Sequence, residues 1–344
     1  MIPAVGAHIY AGGFTIGVSK HFDVLAHLEH AAYGKEVVNL NFPNLPIYDG
    51  GPANWPTKWS RRPRFMYANP PCACWSNASH GRSYGWRDDP RLQVHKDVFA
   101  YAMALQPDVL AIESVPPSWV KGREYFDEVS AAAAIEGYST TIAMHNSQWL
   151  GVAQKRSRIF FVYHRVAIDW EHPEFVAPKT VRQALKGIKI AKGGFDLTLH
   201  PALQKLASST PPGGNFRRTF DALYPNPEIT PRGTVRGRPA FLDIRAPWDE
   251  PAPVLVGGHM AHPDEPRYLA KEELAAICGY PKDYKWPPQN YGETSSWMSR
   301  GIMPPVGEWL AENVARAITK GRRLNSVDRK ILDLRKAPGA YYEI

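Results

Sequence analysis

Apolar and polar positions alternate along the first half of the chain in a way that predicts strands interleaved with helices. Ala7 to Tyr10 is a short apolar run closed by Gly12-Gly13, and Asp23 to Leu28 is a second strand-like run ending at Glu29. Tyr67-Ala68 leads into Asn69-Pro70-Pro71. Val94 to Leu105 places Val98, Tyr101, Ala102 and Leu105 at helical spacing, ahead of a strand at Val109 to Ile112. A helix at roughly Tyr125 to Glu136 then precedes strands at Thr140 to Met144 and Arg158 to Tyr163. Strands and helices in this alternation predict a mostly parallel sheet covered on both faces, with functional residues at the carboxyl ends of its strands.

After about residue 166 the pattern changes. A short helix at Thr180 to Leu185 is followed by Gly193-Gly194, Pro211-Pro212-Gly213-Gly214 and Pro225 to Pro231, which interrupt the chain repeatedly. Regularity returns at Ala270 to Cys278 and in a helix from Pro305 to about Lys320. No internal repeat is visible.

The 344 residues are enough for one large domain, or for a large and a small one. Hydrophobic residues at 44% and charged residues at 22% exclude bulk disorder. There are 32 prolines, nearly twice the usual ~5%, so long irregular connections are expected. With no apolar run of about 18 residues and no signal-like N-terminus, the reading is a cytoplasmic protein with no membrane partner. Cys72, Cys74 and Cys278 are too few for a disulfide framework or a four-ligand zinc site, so no metal is expected.

The placement of charge says more than the total of +8. Lys179 to Arg245 holds 12 basic and 4 acidic residues, the entire excess of the chain. Lys320 to Lys336 is also basic, 7 against 2. A polyanion fits the first segment, because neutralised phosphates release counterions; a solvated face would look the same.

Candidate chemistry sits at predicted strand ends. Tyr10-Ala11-Gly12-Gly13-Phe14 follows the first strand and Glu29 closes the second, a pairing suited to a cofactor's backbone approach and ribose hydroxyls, and equally to a structural turn. Pro70-Pro71 presents Cys72 in a rigid frame. Such a thiol is a nucleophile only in an electropositive setting and is otherwise an inert core residue. Glu113 ends another strand, before Pro116-Pro117, and Gln154-Lys155-Arg156-Ser157-Arg158 enters a third with both guanidiniums on one side. Each group alone could be structural; a thiol, an acid and two guanidiniums in this order point to one site.

These segments resemble the DNA (cytosine-5) methyltransferase family over most of the chain. Pro71-Cys72, Glu113-Ser114-Val115 (Glu-Asn-Val in most members) and Gln154 to Arg158 look like its three catalytic motifs. Asn41-Phe42-Pro43, His262-Pro263 with Arg267 to Pro281, and Met303-Pro304-Pro305 match further family segments. The resemblance implies an α/β, Rossmann-like class I methyltransferase fold with a mostly parallel seven-stranded sheet and a small, loop-rich target-recognition domain. Residues 1–165 would be the catalytic and cofactor-binding domain and 166–256 the recognition domain. Residues 257–344 would return to the large domain with a final helix and a basic tail.

It further implies that Cys72 attacks C6 of a cytosine flipped from double-stranded DNA, Glu113 serves N3, Arg158 holds O2 and Arg156 supports the loop. S-adenosylmethionine would be the donor, held by Tyr10, Ala11, Gly12, Gly13, Phe14 (stacked on adenine), Glu29, Asp49, Pro70, Gly301 and Ile302. DNA would be met by Ser76, Gln154, Arg217, Arg218, Arg232, Arg236 and Arg238, and the protein would act as a monomer. The chain departs from the family in a shortened glycine loop, in Gly51 where an adenine-binding acid is usual (leaving Asp49), in Arg300-Gly301 for Gly-Asn, and in Pro253-Val254 where a threonine is usual near a proline. Two other readings stand beside this one. Asn69-Pro70-Pro71 also resembles amino methyltransferases acting on adenine N6 or cytosine N4, and the chain could be a DNA-binding relative without catalysis.

Overall fold

The computed structural model describes every residue except 30–33, 77–84, 173–176, 192–195, 232–233, 256–259, 288–290, 337–341 and 344, with backbone alone at 291–292 and 342–343. Its centre is a sheet of strands β1 (Ile2–Ala7), β2 (Phe22–Leu28), β3 (Ile47–Tyr48), β4 (Phe65–Ala68), β5 (Val109–Ser114), β6 (Ser139–Asn146), β7 (Ser157–His164), β8 (Arg329–Leu334) and β9 (Tyr342–Glu343). The order across the sheet is β3-β2-β1-β4-β5-β7-β6-β8-β9. All pairings are parallel except those of β7 with β5 and β6, and of β9 with β8.

Seven strands were expected, and nine form among the described residues. The additional pair comes from the supposed basic tail, where Ile331, Leu332 and Leu334 are interspersed with charged residues and β8 lies parallel to β6, Ile142 opposite Ile331. The short helix Gly13–Val18, the strand β3 and the helix Tyr291–Arg300 were also not foreseen.

Strand alternation feeds two apolar layers. Ala4, Phe65, Tyr67, Val109, Ala111, Phe160 and Val162 face one way, against Trp309, Leu310 and Val314 of the helix Pro304–Lys320. Val5, Met66, Leu110, Ile112, Phe161 and Tyr163 face the other, against Val98 and Ala102 of Arg91–Leu105 and Phe126 and Val129 of Arg123–Ile135. The closing helix comes back onto Gly13–Val18 at a distance that only glycine allows: a Cβ on Gly17 would lie 2.6 Å from the Pro304 carbonyl oxygen.

A smaller core forms from Leu199, Leu203, Leu206, Phe216, Phe220 and Ala261. Buried Arg245 braces it, donating to the carbonyls of Ala207 (2.5 Å), Thr210 (2.7 Å), His262 (3.1 Å) and Asp264 (3.1 Å). The chain before it, through Val166, Val181 and Ala184, packs on the first large core instead. Among the described residues no helix is long and apolar enough to cross a membrane, and no cluster of potential metal ligands forms.

Candidate active site

From β1 the chain proceeds to β2 and β3 on one side, and β4 then begins the other half of the sheet. The crevice between the carboxyl ends of β1 and β4 is therefore a topological switch point, where such sheets bind ligands. A cavity of about 400 Å³ lies there, lined by His8, Tyr10 and Glu29, which follow β1 and β2, by Asn69, Pro71, Cys72 and Ala73, which follow β4, and by Arg91, Val94 and Arg300.

Cys72 opens a single 3-10 turn, Cys72–Cys74, directly after the two prolines. Trp75 holds that turn in place, fully buried against His95 (4.8 Å between ring centres) and stacked on Tyr125 (5.8 Å). The Cys72 Sγ is raised from its ordinary pKa by burial first and by the nearby Glu113 charge second, while Arg158 and Arg156 oppose the rise.

Glu113 ends β5, fully buried, and is held from two sides. Asn69 Nδ2 donates to one carboxylate oxygen at 2.6 Å and Arg158 Nε forms an ion pair with the other at 2.7 Å. Because β7 runs antiparallel, its start at Arg158 reaches the carboxyl end of β5, with Ser114 opposite Ile159. Burial pushes the Glu113 carboxyl up to about 7 against the pull of both arginines and Asn69. Arg156, equally buried, is pushed down to about 10 by desolvation and then by Arg158, and Nη1 donates to the Met298 carbonyl at 3.4 Å. The four expected catalytic residues thus gather at one end of the sheet, with Asn69 joining them.

At the other end of the cavity, Glu29 accepts from the Ile9 backbone N–H at 2.9 Å, and burial pushes its carboxyl up to about 8. Both His8 (φ 53°) and Tyr10 (φ 48°) adopt left-handed backbone, and Tyr10 lines the cavity. Phe14 does not face it. Completely buried in its helix, it packs on Tyr67 (4.8 Å) and Phe160 (5.8 Å), so the expected stacking on an adenine is corrected: the available ring is that of Tyr10.

The glycine turn packs against protein as well. Ala11 accepts from the Tyr284 hydroxyl at 2.7 Å, and a Cβ on Gly12 or Gly13 would strike Tyr284 or Tyr280. Asp49 pairs with Lys35 at 3.1 Å and does not line the cavity. Pro70 is buried behind Asn69 and Pro71, and Ile302 belongs to the core. Gly301 lies beside Tyr10, whose Cβ is 3.7 Å from the place of a Gly301 Cβ.

The expected DNA contacts are more varied. Ser76 is half-buried at the end of the Cys72 loop, Arg217 is half-buried and Arg218 exposed on the helix Phe216–Leu223. Arg236 pairs with Glu228 at 3.5 Å and Arg238 with Asp221 at 2.7 Å, so each would exchange an acid for a phosphate. Gln154 is corrected: its side chain is buried, both amide atoms lack hydrogen-bond partners among the described residues, and it is shielded from a duplex. Arg232 lies outside the described residues. Sequence reasoning missed His8, Arg91 and Val94, which carry no motif, and met Arg300 only as a departure from the closing family motif.

The switch-point cavity, with a thiol at one end and a carboxylate at the other, defines an α/β enzyme of the methyltransferase class. A model of the C-5 cytosine-specific DNA methylases matches residues 9–316, and the chain belongs to that family. It is 26% identical to the type II methyltransferase M1.HphI of Haemophilus parahaemolyticus over 333 residues, 90% of this chain and 84% of that protein. It is also 26% identical to M.NgoPII of Neisseria gonorrhoeae over 285 residues, 74% and 76% of the two chains. The fold is similar to that of a prophage-encoded DNA modification methyltransferase of E. coli (TM-score 0.66, 16% identity, 93% of this chain and 100% of that one). The Entamoeba histolytica methyltransferase EhMeth is similar too (TM-score 0.64, 12% identity, 92% and 99%). The chain is accordingly a DNA (cytosine-5) methyltransferase that uses S-adenosylmethionine, and the amino methyltransferase reading is set aside.

Proposed function

We propose that this enzyme methylates a cytosine flipped out of double-stranded DNA, through a covalent bond between Cys72 Sγ and C6. The observation that carries this is the Asn69–Glu113–Arg158 cluster, whose Asn69 lines the same cavity as Cys72 and whose charges act on the Cys72 thiol. Cytosine C5 is a poor nucleophile until something adds at C6. As the Cys72 thiolate adds there, the electron pair moves toward C5, while charge on N3 and O2 is met by the Glu113 proton and the Arg158 guanidinium. A carboxyl near 7 is suited to this, because it can carry a proton at neutral pH and share it with a ring nitrogen. C5 then takes the methyl group, a base removes the C5 proton, and the S–C6 bond breaks to return the thiolate.

The rest of the cavity fits the donor. Its volume is in the usual range for a small-molecule site, Glu29 presents a carboxyl group for ribose hydroxyls, and Tyr10 offers an aromatic face. When bound, the donor supplies an electrophilic methyl group. In this reading residues 1–165 and 257–344 form the catalytic body. Residues 166–256 form the basic recognition module, where Arg217, Arg218, Arg236 and Arg238 meet mostly phosphate. The protein works as a cytoplasmic monomer. Flipping costs a few kcal/mol, recovered in the pocket and on the DNA backbone.

A duplex carrying 5-fluorocytosine at the target tests the chemistry, because fluorine at C5 cannot leave as a proton and the adduct is trapped. The wild-type protein should give a denaturation-stable complex and Cys72→Ala none. A complex that survives Cys72→Ala refutes the assignment. Failure to bind the donor at all would favour a non-catalytic DNA-binding protein.

A further inference from the structure

Asn69 is fixed through both backbone and side chain. Its N–H donates to the Ala7 carbonyl at 3.0 Å, Pro70 and Pro71 restrict the chain that follows, and Nδ2 donates to Glu113 Oε2 at 2.6 Å. A carboxylate only accepts, so Nδ2 faces it and the amide oxygen Oδ1 is turned away. That oxygen is buried and accepts no hydrogen bond among the described residues, although Asn69 lines the cavity that also holds Cys72. A buried acceptor without a donor is costly, and a ligand that supplies the donor recovers the cost.

We propose that Asn69 Oδ1 accepts a hydrogen bond from the 4-amino group of the target base and so selects cytosine over uracil and thymine. The assignment rests on the flipped-cytosine reading above and follows from the order of groups at Glu113. Arg158 pairs with Oε1 at 2.7 Å and Asn69 with Oε2, so the two flank the carboxyl group, one at each oxygen. Cytosine presents O2, N3 and the 4-amino group along one edge in that order. With Arg158 on O2 and Glu113 on N3, the amino group falls on the side of Asn69. Cys72 does not compete for that edge, because a thiol adds to C6 through a face of the ring. As the Glu113 proton passes to N3, the carboxylate left behind goes on accepting from Nδ2, which keeps Oδ1 turned toward the amino group. Uracil and thymine carry an oxygen at this position, and two acceptors facing each other repel. A site built to pair one substituent discriminates strongly against a base that lacks it, since its own buried group is then left unmet.

The test compares covalent trapping by the full-length protein of two duplexes. One carries 5-fluorocytosine at the target, the other 5-fluoropyrimidin-2-one, the same base without its 4-amino group. The two bases differ in intrinsic reactivity, so the readout is the ratio of their trapping rates, amino over amino-free, in each variant against the wild type. Asn69→Leu removes both polar atoms and should lower that ratio by roughly fivefold to tenfold, the worth of one buried hydrogen bond. Asn69→Asp keeps an acceptor oxygen and can share a proton with Glu113; its overall rate should fall while its ratio stays within about twofold of the wild type. Should Asn69→Leu melt early, Asn69→Ala makes the same comparison with a smaller side chain. A leucine variant that slows both duplexes equally shows that Asn69 only positions Glu113 and overturns the assignment, as does an aspartate variant whose ratio falls with that of leucine. A wild-type protein that traps neither duplex overturns the flipped-cytosine reading as well.

Discussion

Replacing Glu113 by glutamine separates what the carboxyl does as a proton carrier from what it does as a hydrogen-bond partner. Glutamine keeps the length, can accept from Asn69 or Arg158, and cannot give up a proton. The fold should survive, because two effects oppose each other. Burial raises the carboxyl from 4.5 to about 7, so its ionised form costs about 3 kcal/mol above neutral pH, which the amide removes. Removing the charge leaves Arg158 buried without its counter-ion, which costs about 3 to 5 kcal/mol. The difference is on the order of 2 kcal/mol or less, a shift of a few degrees in melting temperature. Catalysis should fall much further, by roughly 10² to 10⁴ in kcat/KM, the usual range for a positioned general acid and about 3 to 5 kcal/mol of barrier.

The pH profile is the sharper readout. The productive enzyme has Cys72 ionised and Glu113 protonated. Below pH 7 the wild-type rate should rise with pH as thiolate forms. From about 7 upward each gain in thiolate is cancelled by loss of the Glu113 proton, so the profile should level off until the thiol itself titrates. Glu113→Gln has no such proton to lose, and its much lower rate should continue rising through pH 7 without a break. Measuring kcat/KM for methyl transfer to duplex DNA from pH 6 to 9 tests this. A variant that keeps the break near 7, or loses less than about tenfold, refutes the role given to Glu113.

Two further outcomes concern stability. His27 and His145 are held down to about 3 and His95 to about 4 by burial, so stability should be lost as pH falls below 6.5. Glu29 and Glu113, raised to about 8 and 7, contribute stability that is present below 4.5 and lost as pH rises toward those values. The three histidines outweigh the two carboxyls on the acid side and only the carboxyls act above 6.5. Melting temperature should therefore peak near pH 6.5, and Glu29→Gln should remove about 2 kcal/mol of the decline between pH 6.5 and 8; a melting temperature rising steadily from pH 5 to 8 contradicts this. Arg245→Met removes the group that ties four backbone carbonyls of the small core together. It should abolish DNA binding while S-adenosylhomocysteine binding persists, and parallel loss of both would show that the small core is not separable from the body.

The catalytic half of the site was legible because each of its residues ends or begins a strand, and strand ends are marked in sequence by Pro-Pro, by charge and by a change of period. Cys72, Glu113 and Arg158 needed only the order of their segments. The donor half was read less well for a local reason. Tyr10 and Phe14 flank the same glycine turn, and periodicity does not tell which ring is rotated outward. Left-handed backbone at His8 and Tyr10 accompanies the ring that lines the cavity, and nothing in those residue types announces it. In β8 the charges concealed the strand: Arg329 is drawn to Asp127 at 2.6 Å and Asp333 to Arg335, leaving Leu332 and Leu334 to face the core. Gln154 was misread because a polar side chain beside two arginines suggests a surface, whereas burial depends on the segment packed over it.

The reversed strand β7 explains why the catalytic residues are so scattered in sequence yet meet. In an all-parallel sheet a residue at the start of a strand lies at the edge opposite the ligands, and Arg158 would be a full strand length from Glu113. Antiparallel pairing moves the start of β7 to the carboxyl edge of β5, where Arg158 closes on Glu113 at 2.7 Å. The same reversal puts Arg156 and Gln154 just ahead of the strand, where Gln154 pairs by backbone with Ala252 and the Lys155 amide donates to the same residue. In the proposed reading, the five residues Gln154 to Arg158 thus link the group that meets the target base to the end of the basic segment 166–256.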